Sequence, residues 1–226
     1  MILVSYTTSS YYENMEDMLH ECAEKYGIEH RRYDRKWLES TSFYKENKTL
    51  CDDNKAGFFC WKPYLIYEAL KEDDLVIYTD ASVVFYDDPR SSINSVDQIG
   101  VGDCGTSWVN RDWTKRDCFV YMDCDKPRYW DGYSVWAGLV VARRTSSWVI
   151  EEWMEWSKDR RIISDDPNTC GLPNFPNFKD HRHDQSILTN MSLMYPITIQ
   201  RLISPFQDYS GNWSEWVPWN LRGKRK

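Results

Sequence analysis

Apolar residues recur along this chain in two rhythms. Ile2-Leu3-Val4-Ser5-Tyr6 is a short, nearly continuous apolar run that reads as a first core strand. The spacing then changes: Met15, Met18, Leu19, Cys22, Ala23 and Tyr26 fall on one face of a helix, and Gly27 ends the run. Ser10 followed by Glu13 reads as a capping box at the start of that helix. Ile28 to Tyr33 predicts the next strand, and Lys36 to Asn54 is polar with weak helical character. A second helix starts near Pro63, a residue tolerated in a first turn. Leu75-Val76-Ile77-Tyr78-Thr79 is the strand after it. Strands alternating with helices at this spacing predict a mainly parallel, three-layer α/β sheet with right-handed crossovers.

The last of these strands stops on a carboxylate, in Asp80-Ala81-Ser82, before apolar residues resume at Val83-Val84-Phe85. In open α/β sheets the crevice outside the carboxyl ends of the strands is where ligands bind, which makes Asp80 a candidate functional residue. Capping the following turn is its other reading. No G-x-G-x-x-G or G-x-x-x-x-G-K-[ST] loop follows any of these strands, so dinucleotide and P-loop phosphate cradles are disfavoured. Lys62 stands at a helix start, where free N–H groups favour anions; it reads as a phosphate contact or as a solvated first-turn lysine. In His181-Arg182-His183-Asp184-Gln185-Ser186-Ile187-Leu188, Asp184 and Gln185 fall near the amino end of a further helix. His181 and His183 lie two apart with no third ligand at zinc spacing, which disfavours a zinc site.

Composition narrows the class. With 226 residues the chain suits one well-packed domain, and no apolar run approaches the roughly 20 residues needed to span a bilayer. The amino terminus has no signal-peptide pattern and the seven cysteines are scattered, so a soluble cytoplasmic protein with reduced thiols is expected. The sequons at Asn47, Asn190 and Asn212 are then coincidental. A formal charge of -7 argues against a nucleic-acid partner, the basic tail Arg222 to Lys226 notwithstanding. Twelve Trp and fifteen Tyr exceed what a core of this size needs, and flat aromatic faces suit the apolar C–H faces of sugar rings.

Four segments occur in an informative order: Trp61-Lys62-Pro63-Tyr64, Tyr78-Thr79-Asp80-Ala81-Ser82, Ala137-Gly138-Leu139-Val140-Val141, and His181 to Leu188. Together they resemble the nucleotide-sugar transferases of the GT-A fold, which are Rossmann-like α/β proteins with a mostly parallel central sheet flanked by helices. The stretch from Glu151 through Asp165-Asp166-Pro167-Asn168 to Gln185 is similar to viral and microbial polysaccharide glycosyltransferases, including chlorella-virus glycan enzymes. The resemblance covers residues 1–205, read as the catalytic domain. Residues 206–226 read as a C-terminal extension that either covers the acceptor cleft or leads to a further domain.

The resemblance implies roles residue by residue. Tyr6 and Thr7, at the end of the first strand, would bind the base and ribose of the donor. Asp80 matches the first acid of a D-x-D motif that holds Mn²⁺ or Mg²⁺ against the diphosphate, with Ala81 and Ser82 beside it and Lys62 as a second positive charge. Ala137-Gly138 would line the sugar pocket, with Trp136 stacking on a sugar, and Asp184-Gln185 matches a catalytic D-Q pair of retaining enzymes. The second acid of the motif is Ser82 here, a neutral and weaker ligand that would hold the metal with Asp80, and no histidine follows His183 to serve the metal; Asp208 is a late acid able to compensate. The implied activity is transfer of a hexose from a nucleoside-diphosphate sugar, a UDP-hexose above others, to a glycan hydroxyl with metal assistance, retention favoured over inversion. The location implied is cytoplasmic, in the host cytoplasm if the chain is viral. The rival expectation is a non-catalytic glycan-binding module on the same fold, which Ser82 favours.

Overall fold

The computed structural model describes residues 1–7, 9–195, 199–202 and 205–208. Sequon residue Asn212, the aromatic stretch Trp213 to Trp219 and the basic tail lie outside the described residues. Six strands form the central sheet: β1 (Ile2–Tyr6), β2 (Glu29–Tyr33), β3 (Leu75–Thr79), β5 (Ile99–Asp103), β6 (Val135–Arg143) and β7 (Ile199–Leu202). Their order is β2-β1-β3-β6-β5-β7. The β1–β2, β1–β3 and β5–β7 pairs are parallel, and β6 alone runs antiparallel to both of its neighbours. The mostly parallel α/β sheet expected from the strand and helix rhythm is therefore present, with one reversed strand at its centre. β4 (Val83–Phe85) belongs to a small separate sheet, where it pairs antiparallel with β8 (Phe206–Asp208), so the start of the expected C-terminal extension is built into the fold.

Alternation along the strands builds a core on each face of the sheet. Ile2, Val4 and Tyr6 of β1 join Val76 and Tyr78 of β3 in one cluster, while Leu3 and Ile77 join the other. Each fully buried aliphatic side chain contributes about 1.5–3 kcal/mol, and a one-residue slip would exchange the two faces, so register is strongly specified. The first cluster packs under α2 (Trp61–Glu72), α3 (Ser147–Ser157) and α4 (His183–Met194); the second packs against α1 (Ser10–Lys25) and the β4–β8 ribbon.

Two local expectations need correcting or refining. The N-cap of α1 is Ser9, whose side chain makes no capping hydrogen bond; Ser10 lies inside the helix, so the Ser10–Glu13 capping box does not form. Starting the helix one residue early moves Glu13 beyond the position from which such a side chain reaches back to the cap. The polar stretch from Lys36 to Asn54 condenses into the short helices Arg35–Ser40, Ser42–Glu46 and Lys48–Cys51. Asp34 and Thr41 cap the first two by accepting from Trp37 N–H and Tyr44 N–H. Gly27 ends α1 as expected, at φ +61, with Ile28 N–H donating back to Ala23 O at 2.9 Å.

Candidate active site

The chemistry-bearing residues meet where β3 ends and β6 begins. The β3–β6 ladder is regular up to Thr79↔Leu139, and Asp80 extends it by donating its N–H to Gly138 O at 2.9 Å. On the other flank of β6 the register breaks: Val101 of β5 pairs with Val140, but Gly102 pairs with Trp136. Ala137, Gly138 and Leu139 therefore have no β5 partner, which frees main-chain groups for other work. Ala137 O accepts from Lys62 Nζ at 3.2 Å, and Ala137 N–H donates to Gln185 Oε1 at 3.3 Å. The Ala137–Gly138 segment thus ties together the start of α2, the end of β3 and the start of α4.

Lys62 is not a solvated surface lysine. It is 3% exposed, and its ammonium lies 2.9 Å from Asp184 Oδ2 and 3.3 Å from Asp80 Oδ1. Burial alone would lower its pKa, but the two carboxylates outweigh burial and raise it, so Lys62 stays charged. Asp184 is equally buried, and burial pushes its pKa up to about 6 against the opposing pull of Lys62. Its backbone carbonyl accepts from Trp153 Nε1 at 3.0 Å. Asp80 differs: its side chain is 41% exposed, and Oδ1 accepts from Tyr78 OH at 2.7 Å. One cation between two carboxylates leaves a net negative charge at the strand end, open to solvent on the Asp80 side only.

Trp136 lies flat over a floor of glycines. A Cβ on Gly102 would meet the indole at 2.3 Å, and one on Gly138 would meet it at 2.5 Å and Asp80 Oδ2 at 2.8 Å. Only glycine at both positions lets the ring settle there.

A cavity of about 620 Å³ opens beside Asp80, lined by Tyr6, Tyr12, Arg35, Ala56, Phe59, Trp61, Tyr78, Ala81, Ser82 and Asp208 as well. Tyr6 and Trp61 stack in its wall with ring centroids 3.9 Å apart. Ala56, Gly57, Phe58 and Phe59 all have positive φ, an unfavourable run that costs about 1–2 kcal/mol per non-glycine residue. Trp61 Nε1 holds the run by donating to Ala56 O at 2.9 Å, and Phe58 packs on His183, itself at φ +50, with centroids 5.2 Å apart. Backbone strain of this kind collects where a surrounding structure over-determines a site.

The expected site residues thus fall into one constellation with one outlier. Tyr6, Asp80, Ala81 and Ser82 line the cavity, with Lys62 and Asp184 beneath it and Trp136, Ala137, Gly138 and Gln185 on its β6 side. Thr7 turns away: its hydroxyl donates to Glu16 at 2.6 Å, and it lines a separate, neighbouring cavity of about 410 Å³. Asp208 does join the site, accepting from Ser82 Oγ at 2.7 Å. Arg35 and Gly102 were not anticipated. Arg35 follows the carboxyl end of β2, so the strand-end rule that singled out Asp80 would also have found it; nothing in the sequence marks Gly102.

The two histidines are structural. His181 Nε2 donates to Ile162 O at 2.8 Å and its Nδ1 accepts from Lys115 N–H at 3.3 Å, while His183 Nδ1 donates to Ile163 O at 3.0 Å. Among the described residues no group of three or more His, Cys, Asp or Glu is placed to hold a metal ion. Two carboxylates, Asp80 and Asp208, line the same cavity, and this suits Mg²⁺ or Mn²⁺, which are held by one or two carboxylates together with substrate phosphates. Asn190 is fully buried and accepts from Asn110 Nδ2 at 2.8 Å, so that sequon is out of reach of modification. Among the described residues no helix is long and apolar enough to cross a membrane.

No protein-family model matches this chain, and no curated protein matches it by sequence. Solved structures do. The apo structure of the bifunctional glycosyltransferase WbbM superposes on 89% of this chain with a TM-score of 0.52 and 11% identity; the chain spans 38% of that protein's length. Mouse xyloside xylosyltransferase 1 in its apo form gives 0.49 over 89% of this chain and 84% of its own, at 11% identity. A glycosyltransferase involved in the glycosylation of the major capsid of PBCV-1 gives 0.41 over 80% and 82%, at 10% identity. What is shared at such identities is the architecture: the chain has the GT-A glycosyltransferase fold.

Proposed function

We propose that this protein is a glycosyltransferase that moves a hexose from a nucleoside-diphosphate sugar, a UDP-hexose first among them, to a glycan hydroxyl with divalent-metal assistance and retention of configuration. The observation that carries the proposal is the Asp80–Lys62–Asp184 cluster, joined through Ala137 to Gln185 at the mouth of an aromatic-lined cavity. On this reading the stacked Tyr6–Trp61 wall takes the base, and the exposed carboxylate of Asp80 faces the diphosphate. Asp80 and Asp208 would hold the metal, with Ser82 orienting Asp208. A divalent ion there would offset the charge that builds on the departing diphosphate, worth several kcal/mol.

Asp184, buried and paired, acts through Lys62. Lys62 fixes the Ala137 carbonyl and Asp80 Oδ1, which would leave Asp80 Oδ2 for the metal. Gln185 is half-buried, with Oε1 accepting from Ala137 N–H, and beside the sugar that carbonyl dipole would favour positive charge developing at the anomeric carbon. An amide takes no proton from an acceptor hydroxyl, and Asp184 is sealed from it. The proton then passes to the departing phosphate oxygen on the face the acceptor attacks, which is the retaining course. Trp136 offers its ring to the sugar.

The test is calorimetric titration of UDP, UDP-glucose and GDP-mannose, each with Mn²⁺ and again with EDTA, followed by assay of donor hydrolysis. Manganese-dependent binding of a uridine ligand and slow release of UDP from a UDP-sugar are expected. Binding to a glycan array without nucleotide binding or hydrolysis would replace the transferase reading with that of a glycan-binding module.

A further inference from the structure

A second aromatic surface lies on the far side of Gln185 from Asp80. Trp108 and Trp113 stack with ring centroids 4.1 Å apart and an interplanar angle of 20°. The guanidinium of Arg182 lies over both rings, 5.4 and 4.7 Å from their centroids, and Lys179 Nζ is 4.9 Å from the Trp113 ring. The Arg182 and Lys179 contacts cross between the 104–114 segment and the chain leading into α4.

The surface is tied rigidly to the candidate active site. Trp113 O accepts from Arg182 N–H at 3.0 Å and from Ser186 Oγ at 2.9 Å, so it clamps the first turn of the helix that carries Asp184 and Gln185. Arg182 O in turn accepts from Gln185 N–H at 2.9 Å. Trp108 O accepts from Ser134 N–H at 2.8 Å, two residues before Trp136. Cys104 Sγ lies 3.9 Å from Gln185 Nε2, which puts the start of the 104–108 loop against that same amide.

Two features are unexplained by packing. Trp113 Nε1 and Arg182 Nε are buried donors without a hydrogen-bond partner among the described residues, a cost that protein interiors seldom leave unpaid. The acid closest to the guanidinium, Asp180, is 3.7 Å from Arg182 Nη1, and the Arg182 side chain is 40% exposed. A stacked indole pair beside a part-exposed guanidinium suits a ligand that has an apolar C–H face and oxygen acceptors along its edge. Pyranosides have both.

We propose that Trp108, Trp113 and Arg182 form the acceptor subsite, which binds a pyranose ring of the glycan acceptor by stacking and by hydrogen bonds from Arg182. This rests on the transferase reading, since the subsite is defined by its position beside Gln185. The acceptor sugar would approach from the Trp108 side and the donor from the Asp80 side, with Trp136 and Gln185 between them.

The test uses the full chain with UDP and Mn²⁺ present. Wild type, Trp108→Ala, Trp108→Phe and Arg182→Gln are applied to an array of gluco-, galacto-, manno-, rhamno- and xylo-pyranosides, and UDP binding is titrated in parallel. Wild type is expected to retain at least one pyranoside. Trp108→Ala should weaken it about tenfold, as loss of an aromatic anchor does, while Trp108→Phe keeps most of the affinity. Arg182→Gln should weaken it severalfold, and UDP affinity should change less than about twofold in all three. Equal glycan binding by wild type and Trp108→Ala, or no glycan bound by a wild type that binds UDP, overturns the subsite. Absence of UDP binding would instead count against the transferase reading, while the array still reports whether Trp108 and Arg182 bind sugar.

Discussion

The two flanks of β6 make an instructive contrast. Towards β3 the ladder runs unbroken from Leu75↔Arg143 to Thr79↔Leu139, and Asp80 prolongs it. Towards β5 it breaks between Val101 and Gly102, and Ala137 to Leu139 lose their partners. One flank holds Asp80 at the end of the ladder; the other releases the C=O and N–H of Ala137, which Lys62 and Gln185 then claim. A strand that is regular on one edge and interrupted on the other can be both scaffold and ligand-facing surface, which a strand paired on both edges cannot.

The same contrast separates the two acids. Asp80, on the regular flank, is half-exposed, whereas Asp184, behind the interrupted flank, is buried against Lys62. The largest effect expected from breaking this arrangement is on stability. Lys62→Met leaves the buried Asp184 uncompensated and should cost about 3–5 kcal/mol by chemical denaturation. A Lys62→Met, Asp184→Leu double variant should recover a good part of that loss, and no recovery would mean the pair is not what holds the cluster.

The linkage to pH follows from Asp184. Its folded pKa, about 6, exceeds the unfolded value of 3.8, so the folded protein holds a proton that the unfolded chain gives up. The resulting stabilisation is complete below about pH 4 and is lost as pH rises through about 6. Asp184→Asn should flatten that part of the stability profile, and an unchanged profile would contradict the burial assigned to the carboxyl.

On the exposed side the expected effect is catalytic. Asp80→Asn should lower kcat/KM for the best donor by about 100-fold or more, in the range seen when a charge-stabilising group is removed, with little change in melting temperature. A variant that unfolds would show that Asp80 serves only to bind Lys62 and cap its turn.

A smaller effect tests the glycine floor. Gly138→Ala brings a methyl within 2.5 Å of the Trp136 indole, so the ring must move at a cost of about 1–3 kcal/mol, with loss of turnover. Gly105→Ala, a control at a glycine with nothing within 4 Å but φ +72, should show only the backbone penalty. Smallest of all, Ala56→Gly at φ +52 should stabilise the fold by up to about 1 kcal/mol, because glycine accepts that backbone without strain. A destabilised Ala56→Gly would mean that the left-handed run is not strained.

Much of the fold was legible because it rests on periodicity. The strand at 75–79 and the carboxylate that ends it, the helix closed by Gly27, and the helix opening near Asp184 follow from spacing that a local rule can read. The reversal of β6 does not, since Val135 to Arg143 has the same apolar character whichever way it runs. Ser10 and Glu13 had capping-box spacing, yet the helix began one residue sooner, with Ser9 as its N-cap.

The site divides in the same way. From sequence alone come the α/β class, the acid at a strand end, the Trp61-Lys62-Pro63 helix start and the paired Asp184-Gln185, because each is a residue type at a fixed offset from a recognisable element. Tertiary structure alone decided that Lys62 lies buried between two carboxylates, that Thr7 faces a different cavity from Tyr6, and that Asp208 returns to Ser82 across 126 positions of chain. The physical reason is that burial and pairing are properties of the space between elements. A lysine on a first turn is identical in sequence whether water or an aspartate meets it, and the break beside Gly102 that frees the main-chain groups of Ala137 exists only once two strands of unequal local length are laid side by side.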